Sequence, residues 1–183
     1  MRVETKSVGT VERAVAARFG AGYQILAFAD FLLLGLWIGS MAFFSFAVAP
    51  GAFETLGTRE MAGRVVTSNI IKVEWLGIVI GPLLILIQAA TWKVRRGAPI
   101  VKVIQLILVA VMTAAAALSR LWVTENMVSL RIAMGGIIDN VPDDDPLKLQ
   151  FNDLHQYSVA LMSVALFAGL AALFLSVRSW LKR

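Results

Sequence analysis

The stretch Trp75-Leu76-Gly77-Ile78-Val79-Ile80-Gly81-Pro82-Leu83-Leu84-Ile85-Leu86-Ile87-Gln88-Ala89-Ala90-Thr91-Trp92 decides the fold. It contains no charged residue and has a Trp at each end. A helix needs about 20 mostly apolar residues to cross a hydrocarbon core about 30 Å thick. Trp and Tyr concentrate where that core meets water. An unbroken apolar run lacks the alternation of a barrel strand, so a helix is the remaining way to satisfy its backbone in lipid.

Three other segments read the same way. The first spans residues 23–49 with one internal charge, Asp30. The third spans 101–122 with Lys102 and Arg120 near its ends, and the fourth spans 157–178. Tyr23 and Tyr157 open helices, Trp122 and Trp180 close them, and only Trp37 falls mid-span. The composition agrees, with 58% hydrophobic and 16% charged residues against roughly 45–50% and about 25% in soluble domains. Disorder needs the opposite balance. With no Cys, disulfide scaffolds and thiolate sites are excluded.

These features predict an all-α integral membrane four-helix bundle over residues 23–182. An interfacial N-terminal segment over 1–22 precedes it, with Val11, Val15 and Phe19 as its apolar positions. Ala47-Val48-Ala49 is like a signal-peptidase site, but the apolar run before it exceeds the 7–15 residues of a signal h-region. The segment is therefore read as a retained anchor. Gly81-Pro82 is expected to kink the second helix, since Pro removes a backbone bond. The third helix is expected to continue to Gly135-Gly136. The fourth is expected to start at Asp145-Pro146, so both would extend beyond the outer face.

Charge sets the expected topology. Eleven of the 17 Lys and Arg lie in the N-terminal segment, the loop after the second span and the tail. Nine of the 12 acidic residues lie in the other two connections. Both termini should then be cytoplasmic in a plasma membrane. The net +5 is topology, and no nucleic-acid partner is expected.

Small residues at i, i+4 let helix backbones approach. Gly35 and Gly39, Gly77 and Gly81, and Ala165 and Gly169 have that spacing. It suits packing within one bundle or homo-oligomer contacts.

Intramembrane polar residues are the functional candidates, because inserting them costs a few kcal/mol. Asp30 lies about 10 Å beyond Tyr23 at 1.5 Å per residue, at a depth shared with Gln88 and Gln105. An Asp–Gln cluster there would hold a proton or cation, or serve as an interhelical hydrogen bond. At the other end, Arg120, Thr124, Met127 and Arg131 share one helix face, as do His155, Ser158 and Met162. If these faces meet near Glu74, they form a polar site; the alternative is interfacial anchoring. His155 is the only histidine, too few for a zinc site without other ligands. It would serve a haem or soft-metal site with Met127 or Met162. No P-loop, dinucleotide fingerprint or metalloprotease helix is present, and no catalytic residue is assigned.

The run Leu36-Trp37-Ile38-Gly39-Ser40-Met41-Ala42-Phe43-Phe44-Ser45-Phe46-Ala47-Val48-Ala49-Pro50-Gly51-Ala52-Phe53 and the run Phe151-Asn152-Asp153-Leu154-His155-Gln156-Tyr157-Ser158 together resemble the transmembrane protein 205-like family. That family, a domain of unknown function (4149), has a similar Gly…Phe-Phe…Pro-x-x-Phe end to its first helix and a Leu-His-x-x-Ser opening to its last. The resemblance covers about residues 24–180 and implies four membrane helices. It singles out Gly39, Pro50, Phe53, His155 and Ser158, and supplies no reaction. Its pattern has Asn four residues after the Ser, where this chain has Met162. A more distant likeness is to copper-resistance D-like proteins and haem-linked protoporphyrinogen oxidases of four helices.

Three functions follow as expectations. The first is a small transport or tolerance component for a cation, metal or small solute. The second is a haem- or metal-binding redox protein with its site at the outer mouth. The third is a non-catalytic stabilising partner of a membrane complex.

Overall fold

A computed structural model describes the backbone of residues 4–181 and the side chains of residues 20–180. The expected apolar face of the N-terminal segment lies outside the described side chains. The elements are α1 (Glu4–Phe43), α2 (Ala49–Thr55), α3 (Arg59–Ala90), α4 (Pro99–Leu118), α5 (Glu125–Ala133) and α6 (Pro146–Leu181). A π-turn at Phe44–Val48 joins α1 to α2, and a second at Ser119–Thr124 joins α4 to α5. The chain therefore forms four rods, each long and apolar enough to cross a membrane.

Local chemistry sets the rod ends. The Thr58 side chain accepts from the Met61 N–H at 3.2 Å and caps α3. Asp145 accepts from the Leu147 N–H at 2.8 Å, just before Pro146 opens α6. Past α5, Gly135 and Gly136 adopt φ of 77° and 84°, the left-handed conformation that ends a helix cheaply only at glycine. The Gly136 N–H closes the turn on the Arg131 carbonyl at 2.9 Å.

Two π-turns interrupt the α-helical repeat, and α3 remains helical through Pro82. The first lies just before Pro50. A Pro ring crowds the carbonyl four residues back; α3 accommodates Pro82 without a π-turn, whereas the turn before Pro50 does not stay α-helical. The chain widens instead, and the Ala49 N–H reaches back five residues to Phe44.

The core is a central layer of Leu34, Trp37, Ile38, Met41, Ile80, Leu84, Val109 and Met112 with the small residues Ala165, Ala168 and Ala172 of α6. Trp37 lies against the α3 backbone, where a Cβ on Gly77 would stand 2.6 Å from the ring. Thr113 occupies the space of a Cβ on Gly81, and Met112 and Ile38 crowd Gly169. Gly35 and Gly39 stand at the surface with nothing within 4 Å of a built Cβ. Outside the core, each rod exposes large apolar side chains. Examples are Phe28, Leu32 and Leu36 on α1, Val79, Leu83 and Leu86 on α3, Ile104, Ile107 and Val111 on α4, and Phe167, Leu170 and Phe174 on α6. Helices apolar inside and out have a membrane as their solvent. The chain is an integral, multi-pass membrane protein.

Candidate functional site: two buried polar clusters

The apolar layer separates two polar clusters, one at each end of the bundle. At one end, Asp30 of α1 is 1% exposed. Its carboxylate accepts from Gln88 Nε2 of α3 at 3.2 Å and from the Ser176 hydroxyl of α6. Beside it, the connection between α3 and α4 folds back over the bundle. Arg95, in that connection, is 2% exposed. Its Nη2 donates to Gln105 Oε1 of α4, and its Nε and Nη2 donate to the Ser179 hydroxyl at 3.2 and 3.1 Å.

The same connection is held by the Arg96 N–H on the Ser179 carbonyl, 3.0 Å, and by Lys102 Nζ on the Trp92 carbonyl, 2.7 Å. Burial pushes the Arg95 guanidinium below its usual pKa, and the Asp30 charge pulls it back up. The cluster thus contains one carboxylate and one guanidinium that offset each other. Gln88 Oε1, Arg95 Nη1 and Gln105 Nε2 remain without partners among the described residues.

At the other end, Glu74 of α3 is 3% exposed. Ser119 donates to its Oε1 at 2.5 Å, and Thr124 donates to Oε1 and Oε2 at 2.8 and 3.1 Å. Residues five apart point about 140° from each other on an α-helix. The i→i+5 repeat of the π-turn brings both hydroxyls onto one face. Arg120 makes no ion pair with Glu74. It pairs with Glu125 at 2.5 Å and lies over the Trp75 ring, 5.6 Å from its centroid. Its hydrogen bonds come from Ser119 and Thr124, and the Arg120 charge acts on it from beyond ion-pair distance. Next to it lies a cavity of about 20 Å³ lined by Trp37, Met41, Glu74, Ser119 and Met162 among others. That is room for about one water.

The structure thus brings Asp30, Gln88 and Gln105 together, and Glu74 with Thr124 beside Arg120. It does not bring His155 into the second cluster. His155 is exposed on α6, and its imidazole has no hydrogen bond or ion pair with a described residue. Ser158 is buried. Met162 accepts a hydrogen bond from Ser45 at 3.3 Å. Met127 is half-buried on α5, Pro50 is exposed in the first turn of α2, and Phe53 is 53% exposed. Among the described residues, no three His, Cys, Asp or Glu side chains gather as a metal site.

Sequence reasoning missed Arg95, Ser119, Ser176 and Ser179 as members of these clusters. Arg95 was one of many basic residues explained by topology. The serines look unremarkable in apolar helices, although Ser176 and Ser179 share a face by their i, i+3 spacing.

A sequence profile for a Domain of unknown function (DUF4149) matches residues 32–135, from within α1 to just past α5. The chain belongs to this family. The matched DUF4149 region holds all of the Glu74 cluster and, at the other end, Gln88, Arg95 and Gln105. No curated protein and no solved structure matches the chain.

Proposed function

We propose that this DUF4149 protein is a small membrane transport component that binds a small cation, the proton being the simplest, at Glu74. The observation that carries this reading is a buried carboxylate with hydroxyl partners, no direct cationic partner and a water-sized cavity beside it. An intramembrane ionisable group of this kind is costly to insert. A carboxylate with two hydroxyl oxygens is also a hard, all-oxygen donor set. Asp30 is offset by Arg95 and is read as structural. His155 is exposed and makes no hydrogen bond or ion pair with a described residue, so the haem or soft-metal reading has no support beyond the residue types.

We also propose the topology and kinship that the sequence suggests. The basic excess at the Asp30 end supports cytoplasmic termini and a plasma-membrane location. The likeness to transmembrane protein 205-like proteins, and the more distant one to copper-resistance D-like proteins, remain part of the same reading.

The test is flux through liposomes containing the purified full chain, with an internal pH dye and imposed proton or sodium gradients. The wild type should dissipate one gradient faster than empty vesicles. Glu74→Gln, which keeps the shape, should lower that flux by about an order of magnitude or more, while the exposed Asp143→Asn leaves it unchanged. Equal flux from wild type and Glu74→Gln, or none above empty vesicles, overturns the proposal.

A further inference from the structure

Beyond the Glu74 end of the core, α3 and α5 line a groove of about 480 Å³. Arg64, Lys72 and Arg131 supply its charge, Thr67 and Ser68 its hydroxyls, and Ile71 and Val128 an apolar part of its wall. Glu60 fixes two of the cations, accepting from Arg64 Nε at 2.6 Å and from Arg131 Nη1 at 3.3 Å. Arg131 is further held over the Phe151 ring, 5.6 Å from its centroid. Its guanidinium also lies against α3, where a Cβ on Gly63 would stand 3.0 Å from Nη2. Lys72 is exposed and has no ion pair among the described residues. Against the single charge of Glu60, the three cations leave two positive charges uncompensated. Both arginines also keep N–H donors that the Glu60 contacts do not use.

The groove's height points to its ligand. Lys72, Ser68 and Arg64 precede the interfacial Trp75 by three, seven and eleven residues, about 4.5, 10 and 16 Å at 1.5 Å per residue. Bilayer headgroup layers extend about 5–8 Å beyond the hydrocarbon on each side. Below Trp75, the same helix exposes Val79, Leu83 and Leu86. A phosphodiester at the Lys72 end of the groove would thus sit at headgroup level with acyl chains along the apolar stripe beneath, and Arg64 and Arg131 would reach it from the water side. Guanidinium and ammonium groups with hydroxyls are the chemistry that recognises phosphate.

We propose that the α3–α5 groove is a binding site for the headgroup phosphate of an anionic phospholipid. The site is independent of what occurs at Glu74.

Native mass spectrometry of the full chain in mild detergent, titrated with phosphatidylglycerol or phosphatidylcholine, tests it. The wild type should retain phosphatidylglycerol preferentially. Lys72→Gln, at an exposed residue without a partner, should lower that retention about fivefold with the fold intact by circular dichroism. Gly63→Ala should lower it too by displacing the Arg131 guanidinium. Equal retention of the two lipids by the wild type, or unchanged phosphatidylglycerol retention in Lys72→Gln, overturns the proposal. Displacement of the lipid by millimolar inorganic phosphate also overturns it, because the groove would then be a site for a soluble anion.

Discussion

Asp30 and Glu74 are both buried carboxylates with hydroxyl partners, and the proposal gives them different work. Asp30 has Ser176, Gln88 and the nearby Arg95, so its charge is offset inside the protein. Removing one member of such a set leaves the others buried without partners. Asp30→Ala should therefore destabilise the bundle by about 3 kcal/mol, read from Trp fluorescence during SDS unfolding in mixed micelles. The double variant Asp30→Ala/Arg95→Leu should lose less than the sum of the single losses. Strict additivity would mean the two charges are not coupled. The depth of Asp30, Gln88 and Gln105 was legible from their distance to Tyr23 and Trp92 along the chain. Arg95 was not, because nothing in its neighbours marks a connection that folds back.

At the scale of the element, glycine spacing is legible and its consequence is not. Gly39 and Gly77 sit in the same kind of small-residue motif, but Gly77 faces the Trp37 ring and Gly39 faces outward. Gly77→Ala should cost about 1–3 kcal/mol through overpacking. Gly39→Ala should be neutral, or stabilising by about 0.5–1 kcal/mol through helix propensity. The same unfolding assay compares them, and an equal loss in both would contradict the assigned helix rotations. The π-turn at Ser119–Thr124 works at this scale too. It shifts the phase between α4 and α5, so faces read from an uninterrupted 3.6-residue period change partners. That is why Thr124 and Arg131 meet Glu74 and Glu60 of α3, when the spacing alone left the facing helix open.

For the whole molecule, the charge asymmetry is the basis of the proposed orientation. The chain has no Cys, so single cysteines report accessibility without a background. Asp144→Cys, in the connection before α6, should react with a membrane-impermeant maleimide from outside intact cells. Lys93→Cys, between α3 and α4, should react only after permeabilisation. The reverse pattern would invert the proposed topology and leave the fold intact.

The sequence by itself determined an all-helical chain with four helices long and apolar enough to cross a membrane. Those properties follow from hydropathy and length, which accumulate locally along the chain. Only the tertiary structure decided that Arg95 lies beside Asp30, that Glu74 is held by hydroxyls while Arg120 turns to Glu125, and that His155 stays outside. Those outcomes depend on helix rotation, on a π-turn's change of phase and on a connection folding back. Each is set by packing between residues far apart in sequence.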